Sequence, residues 1–200
     1  SMNILIKLTC LIGLVIAPIL GGHSVEEHAD VTTDVQHEVV MTEAEVSDLQ
    51  GHWTTVAEGS TIKFVAGSLI KTYGRFKSFS ADVVFDGANS SLNLLVESSS
   101  VSTGDNLRDE HLSEDEFFDV VKYPEIKYSA SSVKENVFSG ELSLIETTKS
   151  LNVPFKVEVL DGIHHLKGEV EFDRIEYGME SHKLAPDDVI VKFDIIIEKK

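Results

Sequence analysis

Cysteine is nearly absent from this 200-residue chain, which has Cys10 alone, and positive charge is scarce, with 17 Lys and Arg against 34 Asp and Glu. A lone thiol excludes an internal disulfide and a cysteine-built metal centre. A formal net charge of −17 argues against nucleic acid and anionic membrane faces as partners, because both are gripped by Lys and Arg neutralising phosphates. Catalytic signatures are missing as well. There is no Gly-x-Ser-x-Gly elbow, no His-Glu-x-x-His zinc motif and no phosphate-cradling glycine loop. Neither a metal nor a cofactor is expected.

Long apolar runs are represented by residues 8–20, preceded by Lys7 and interrupted by Pro18. That run is shorter than the roughly 20 residues needed to span a bilayer. With the small residues that follow, it has the build of an export signal over residues 1–24. The expectation is a periplasmic protein with no stable membrane insertion. Residues 25–50 carry eight acidic side chains, no Lys or Arg and no aromatic ring, the composition of a flexible acidic linker. A domain of residues 51–200 opens at His52-Trp53, long enough for one well-buried core.

Apolar and polar residues alternate through this domain, as half-buried strands require. Leu92, Leu94 and Val96 share one face, and so do Val153, Phe155 and Val157, or Val191, Phe193 and Ile195. Lys156, Glu158, Lys167, Glu169 and Glu171 sit on the other face, at a charge density that lipid does not accept. About eight such segments, separated by turns such as Asp161-Gly162, predict an all-β fold: an eight-stranded antiparallel barrel, apolar inside.

One segment breaks the alternation. Between Gly104 and Ile126, the adjacent Phe117 and Phe118 lie among carboxylates. Ser113 with Glu116 has the form of a capping box, which predicts a short helical segment near residues 105–119 carrying the two rings. A soluble loop gains nothing from paired phenylalanines, so they imply an apolar surface beneath, either as a lid or as a core plug.

The run Thr103-Gly104, Arg108-Asp109, His111-Leu112, Phe117-Phe118-Asp119 and Tyr123-Pro124 resembles the YceI-like family of periplasmic lipid-binding proteins, and the resemblance extends over residues 52–200. It implies a lipocalin-like barrel whose interior holds a polyisoprenoid or similar apolar long-chain lipid such as a quinone, without catalysis. The chain departs from the family pattern at "AEGSTIKF", which has Glu58 and Gly59 where a histidine is usual, and at Glu146, which replaces a glycine.

The expected lining is Phe64 on the first strand, Phe76, Phe79, Val83 and Phe85 on the next, Leu94, then Phe117 and Phe118, Tyr128, Leu142, Phe155, Phe172 and Phe193. Close-spaced positive charge for an anionic head is confined in the sequence to Lys71, Arg75 and Lys77, which favours a neutral head. Two rival readings remain at this level: a ligand-free barrel acting through its surface, and a small hydrolase or isomerase using Asp109 and His111 as an acid/base pair.

Overall fold

Strands with one apolar and one charged face can satisfy their edges by closing on themselves. The computed structural model describes residues 41–44, 46–67, 71–180 and 187–200; the expected export signal and most of the expected linker lie outside them. The strands are β1 (Met41–Ala44), β2 (Gly51–Ala66), β3 (Thr72–Phe76), β4 (Phe79–Phe85), β5 (Ser91–Glu97), β6 (Val101–Ser102), β7 (Glu125–Lys134), β8 (Val137–Leu144), β9 (Thr147–Leu160), β10 (Ile163–Asp173) and β11 (Asp188–Lys199), with a helix α1 (Asn106–Leu112) between β6 and β7. Eight of the strands form a closed antiparallel barrel in the order β2-β4-β5-β7-β8-β9-β10-β11, and β11 pairs back with β2. β3 takes over the edge of β2 from β4, since residues 51–54 pair with β4 and residues 62–66 with β3.

Local chemistry explains the joints. At the β9–β10 hairpin Asp161 and Gly162 have φ of 50° and 82°, the left-handed pair that a two-residue turn needs and that Asp-Gly supplies. The β2–β11 register slips between Asp194 and Ile196, where β2 carries the "AEGS" departure. The Ser60 hydroxyl mends this break: it donates to Val56 O and accepts from the Ile196 N–H at 2.8 Å.

The inward faces fill the barrel unevenly. At one end Phe138 stacks on Phe155 at 4.2 Å between centroids, Phe85 lies 6.3 Å from Phe155, and Trp53 meets Phe85 edge-on. Phe85 and Phe138 are at most 1% exposed. The other end, toward Phe64, Phe76 and Phe172, is hollow.

Two expectations are corrected. The linker does not extend to Gln50 without structure: β1 pairs with the last residues of β9, Leu49 is buried, and its carbonyl accepts the Trp53 indole N–H at 2.7 Å. Backbone pairing and one leucine suffice, so composition alone concealed it. The helix falls within the expected residues 105–119, but its cap is not Ser113 and it ends before Phe117 and Phe118. Asp105 is its N-cap, accepting from the Leu107 and Arg108 N–H groups, while Ser113 ends it and turns its hydroxyl back to Asp109 O at 2.8 Å. Asp is among the strongest N-caps, and the backbone is extended at Asp105, as an N-cap requires, but helical at Ser113.

Candidate binding cavity and its lid

The hollow end encloses a cavity of about 280 Å³, nearly twice the roughly 150 Å³ that suffices to hold a benzene in an engineered core. Its wall follows from the alternation. Ile62, Phe64 and Ala66 come from β2, Thr72 and Phe76 from β3, and Leu92, Leu94 and Val96 from β5. Ile126 and Tyr128, Leu142 and Leu144, and Leu151 and Val153 continue around the barrel, and Leu166, Val170 and Phe172 face Val189, Val191, Phe193 and Ile195. The packed aromatic residues Trp53, Phe85, Phe138 and Phe155 are not on this wall. Tyr128 contributes no polar group to the lumen, because its hydroxyl donates toward Phe138 O and Leu151 O, both at 3.0 Å. Burial pushes its phenol up to about 12, so it stays neutral.

The mouth is covered by residues 106–123. Asp109 is the anchor of this cover. Its carboxylate accepts from Thr103 N and Oγ1 at 2.6 Å each, and the Thr103 hydroxyl bond chiefly holds its pKa below the usual carboxylate range. After α1, tight backbone turns return the chain toward β7: Phe118 N–H donates to Leu112 O, and both Asp119 and Lys122 take part in the next turn. Phe117 and Phe118 line the cavity and are partly buried. Phe118 meets Phe76 edge-on at 5.6 Å, while Phe117 lies between His111 at 5.1 Å and the Arg174 guanidinium at 5.9 Å. The cover is tied to the segment after β10 where the Glu180 N–H donates to Glu116 O. Tyr123 reaches Glu146 through its hydroxyl, and Pro124 O accepts from Ser98 N.

Of the residues expected to line the interior, Phe64, Phe76, Leu94, Phe117, Phe118, Tyr128, Leu142, Phe172 and Phe193 stand on the cavity wall. Val83, Phe85 and Phe155 do not: they face inward but belong to the packed end. Phe79 borders an outer groove with Arg75 and Lys77. Inward alternation gives the face of a residue and says nothing of its height along the barrel. The Asp109 carboxylate accepts from Thr103, and His111 meets Glu114 at 3.0 Å and Glu116 at 3.8 Å. Among the described residues no cluster of His, Cys, Asp and Glu could hold a metal.

Sequence reasoning missed Arg108 and His111 as wall residues, having read Arg108 only as motif and His111 as motif or acid/base partner, and missed Arg174 altogether. Arg174 is 4% exposed and lines the cavity; Nη1 donates to Glu180 O at 2.6 Å and Nη2 lies 3.9 Å from Asp187. Burial lowers its pKa from the ordinary arginine value, yet a guanidinium remains charged. An arginine after a strand-ending aspartate carries no signal of this burial.

The model of the YceI-like domain matches residues 53–197. The chain belongs to the YceI-like domain family. Among curated relatives, a UPF0312 protein of Photorhabdus laumondii is 34% identical over 84 residues, 38% of this chain and 44% of its own. Protein YceI of Salmonella arizonae is 35% identical over 92 residues, 42% of this chain and 48% of its own. The YceI-like chain thus spans under half the length of these relatives. Solved structures show the same fold. BcnA of Burkholderia cenocepacia aligns with a TM-score of 0.66 at 21% identity, over 72% of this chain and 99% of its own. A polyisoprenoid binding domain from Saccharophagus degradans aligns with a TM-score of 0.62 at 16% identity, over 74% and 98%.

Proposed function

We propose that this YceI-like protein holds one long apolar chain, of polyisoprenoid or similar lipid character, in the hollow end of its barrel and carries out no chemistry on it. One observation carries the reading: apart from Thr72, Tyr128 and three basic side chains, every residue on the cavity wall is apolar. An empty cavity of this kind forfeits dispersion contacts on all sides, and a hydrocarbon chain restores them at about 0.8 kcal/mol per buried methylene. The wall draws apolar side chains from strands all round the barrel, which suits a chain lying within it. The Saccharophagus neighbour, described as polyisoprenoid binding, supports the same ligand class. The export-signal pattern of residues 1–24 supports a periplasmic setting, where a lipid must be shielded from water to cross.

Native mass spectrometry of protein purified from its own cell envelope tests this. A retained lipid adds a discrete mass that organic extraction removes, and affinity for alcohols of increasing chain length then rises until the cavity is full. Bare mass from the envelope together with no binding of any chain in titration overturns it. Turnover of a lipid that ceases in His111→Ala would move the protein to the enzymatic reading.

A further inference from the structure

The β2–β4 ladder ends where Thr54 meets Asp82, and the β2–β3 ladder begins where Ile62 meets Phe76. Between these pairs β2 offers seven residues, 55–61, against the five residues 77–81, a mismatch that leaves part of the longer stretch unpaired. Gly59 sits within it at a φ of 82°. Thr55 bridges one end, its hydroxyl accepting from the Ala81 N–H and donating to Ala81 O. Beyond that bridge, among the described residues, no hydrogen bond crosses from residues 57–61 to residues 77–79. The barrel wall therefore carries a seam at the β3–β4 corner.

The seam opens outward as the groove, about 370 Å³ in volume, that Phe79 borders. Ala57, Arg75, Lys77 and Ser78 form its exposed rim, and the buried Ile62 and Phe76 lie beneath. The same two side chains line the central cavity. In an intact sheet a side chain stands on one face only, so residues bordering both spaces mark a place where side chains, and not backbone, separate water from the lumen. Phe76 is the larger of the two. Its backbone is paired on both sides, with Ile62 and with Val101, so the strand is fixed and the ring moves about its own torsions. The ring packs on Phe64 at 5.7 Å and on Phe118 at 5.6 Å, apolar contacts with no hydrogen bond to break. The cover over the mouth is fastened differently. Asp109 accepts two bonds of 2.6 Å from Thr103, and the Glu180 N–H donates to Glu116 O. Raising the cover breaks bonds of this kind, the charge-assisted ones being the strongest; turning the Phe76 ring breaks none.

We propose that the groove between β2 and the β3–β4 corner is a side entrance to the barrel, through which a single apolar chain passes between Ile62 and the displaced Phe76 ring while the cover stays closed. This rests on the chain-binding reading and adds the route to it. The exposed rim keeps the entrance hydrated in the free protein, and the hydrocarbon beneath gives an incoming chain end its first apolar contact.

Delipidated full-length protein is mixed in stopped flow with parinaryl alcohol, a neutral single-chain probe whose fluorescence rises in apolar surroundings, and the bound probe is then displaced with hexadecanol. Ala57→Trp and Ser78→Trp place an indole over the groove without touching the cavity wall. Each is expected to slow entry and displacement alike, by at least about tenfold, and to leave equilibrium affinity unchanged, because a plug outside the cavity raises the barrier and not the difference between its end states. Thr61→Cys with Lys77→Cys, in a Cys10→Ser background, clamps the seam beside the Ile62–Phe76 pair; oxidation should slow both rates and reductant restore them. Val121→Trp, on the exposed outer surface of the cover, should change neither rate. Parent-like rates in both groove variants place the route under the cover and overturn the side entrance alone, as does a loss of affinity in them with the entry rate unchanged. Failure of parinaryl alcohol and hexadecanol to bind the parent protein overturns both this inference and the chain-binding reading.

Discussion

The ring tip of Phe64 occupies the space that a side chain at Gly74 would need: a Cβ added there would fall 2.1 Å from the ring Cζ. The two residues are direct partners across the β2–β3 ladder, so both point into the lumen. Phe193 stands in the same relation to Gly168 across β10–β11, at 2.4 Å. The glycines let two large rings lean along the wall of the barrel, which keeps the hollow end open where unhindered phenylalanines would fill it.

Gly74→Ala should therefore drive the Phe64 ring toward the lumen. Overpacking of this kind costs about 1–3 kcal/mol, and here it also removes ligand space. Denaturant unfolding of lipid-free protein and titration with a series of alkyl chains measure the two effects, and the longest chains should suffer most. Unchanged stability and an unchanged chain-length profile would sink the idea.

Phe117 and Phe118 separate lid from plug. Replacing both by serine should weaken lipid retention severely and lower the stability of lipid-free protein only modestly, since both are partly exposed where they cover the cavity. Phe138→Ala is the contrast: its ring is 0% exposed, and emptying such a site costs about 3–5 kcal/mol. Comparable destabilisation in the two variants would show that the pair belongs to the core.

A truncation beginning at Gly51 should lose stability even though residues 25–50, which it removes with the apolar segment before them, are acidic and lack aromatic rings. It deletes Leu49, 2% exposed, the carbonyl that receives the Trp53 indole N–H, and the β1 pairing with β9. Burial of one leucine alone is worth about 2–5 kcal/mol when removed to alanine. Leu49→Ala in the full chain should reproduce much of the loss, and thermal midpoints of the three proteins measured side by side check this.

On the outer wall Glu158 lies between Lys156 and Lys167, with Lys167 Nζ at 2.7 Å, and Lys156 first and Lys167 next lower its pKa to about 2. A carboxylate depressed in the folded state releases its proton more readily there than in the unfolded chain, so its contribution is complete above the ordinary value of 4.5 and is lost as pH falls toward 2. His164, packed 4.7 Å from Trp53, is pushed down by burial. Its neutral form is favoured by folding, so stability also declines as pH drops below the ordinary value of 6.5. Urea midpoints from pH 7 to 2 should show both declines. Glu158→Gln should weaken the lower one, which Asp109 also feeds, and His164→Phe should flatten the upper one. A Glu158→Gln profile parallel to the parent down to pH 2 would remove the first assignment.

Much of the fold was legible because a period of two forces a choice of face. Leu92, Leu94 and Val96, or Val191, Phe193 and Ile195, can only be inward together, and Lys156, Glu158 and Lys167 only outward, whatever the strands do next. The paired phenylalanines were legible as a cover for apolar surface for the same reason: their burial is too favourable to forgo. The helix cap was misread because Ser113 and Asp105 are both acceptable caps locally, and only the folded backbone, extended at Asp105 and helical at Ser113, decides between them.

By itself the amino-acid sequence determined the faces of the strands, the Asp-Gly turn and the charge of the outer wall, all of which are settled within a few residues by sterics and hydration. The height of each inward residue along the barrel belongs to tertiary structure. Phe155 and Phe193 are equivalent in pattern, yet the first stacks on Phe138 in the packed end and the second leans over Gly168 beside the cavity, because each height is set by the register of every strand around the closed ring. Arg174 shows the same limit more sharply. Its burial beside Phe117 comes from the lid and the end of β10 meeting across 57 positions of sequence, a contact that only closure of the barrel brings about.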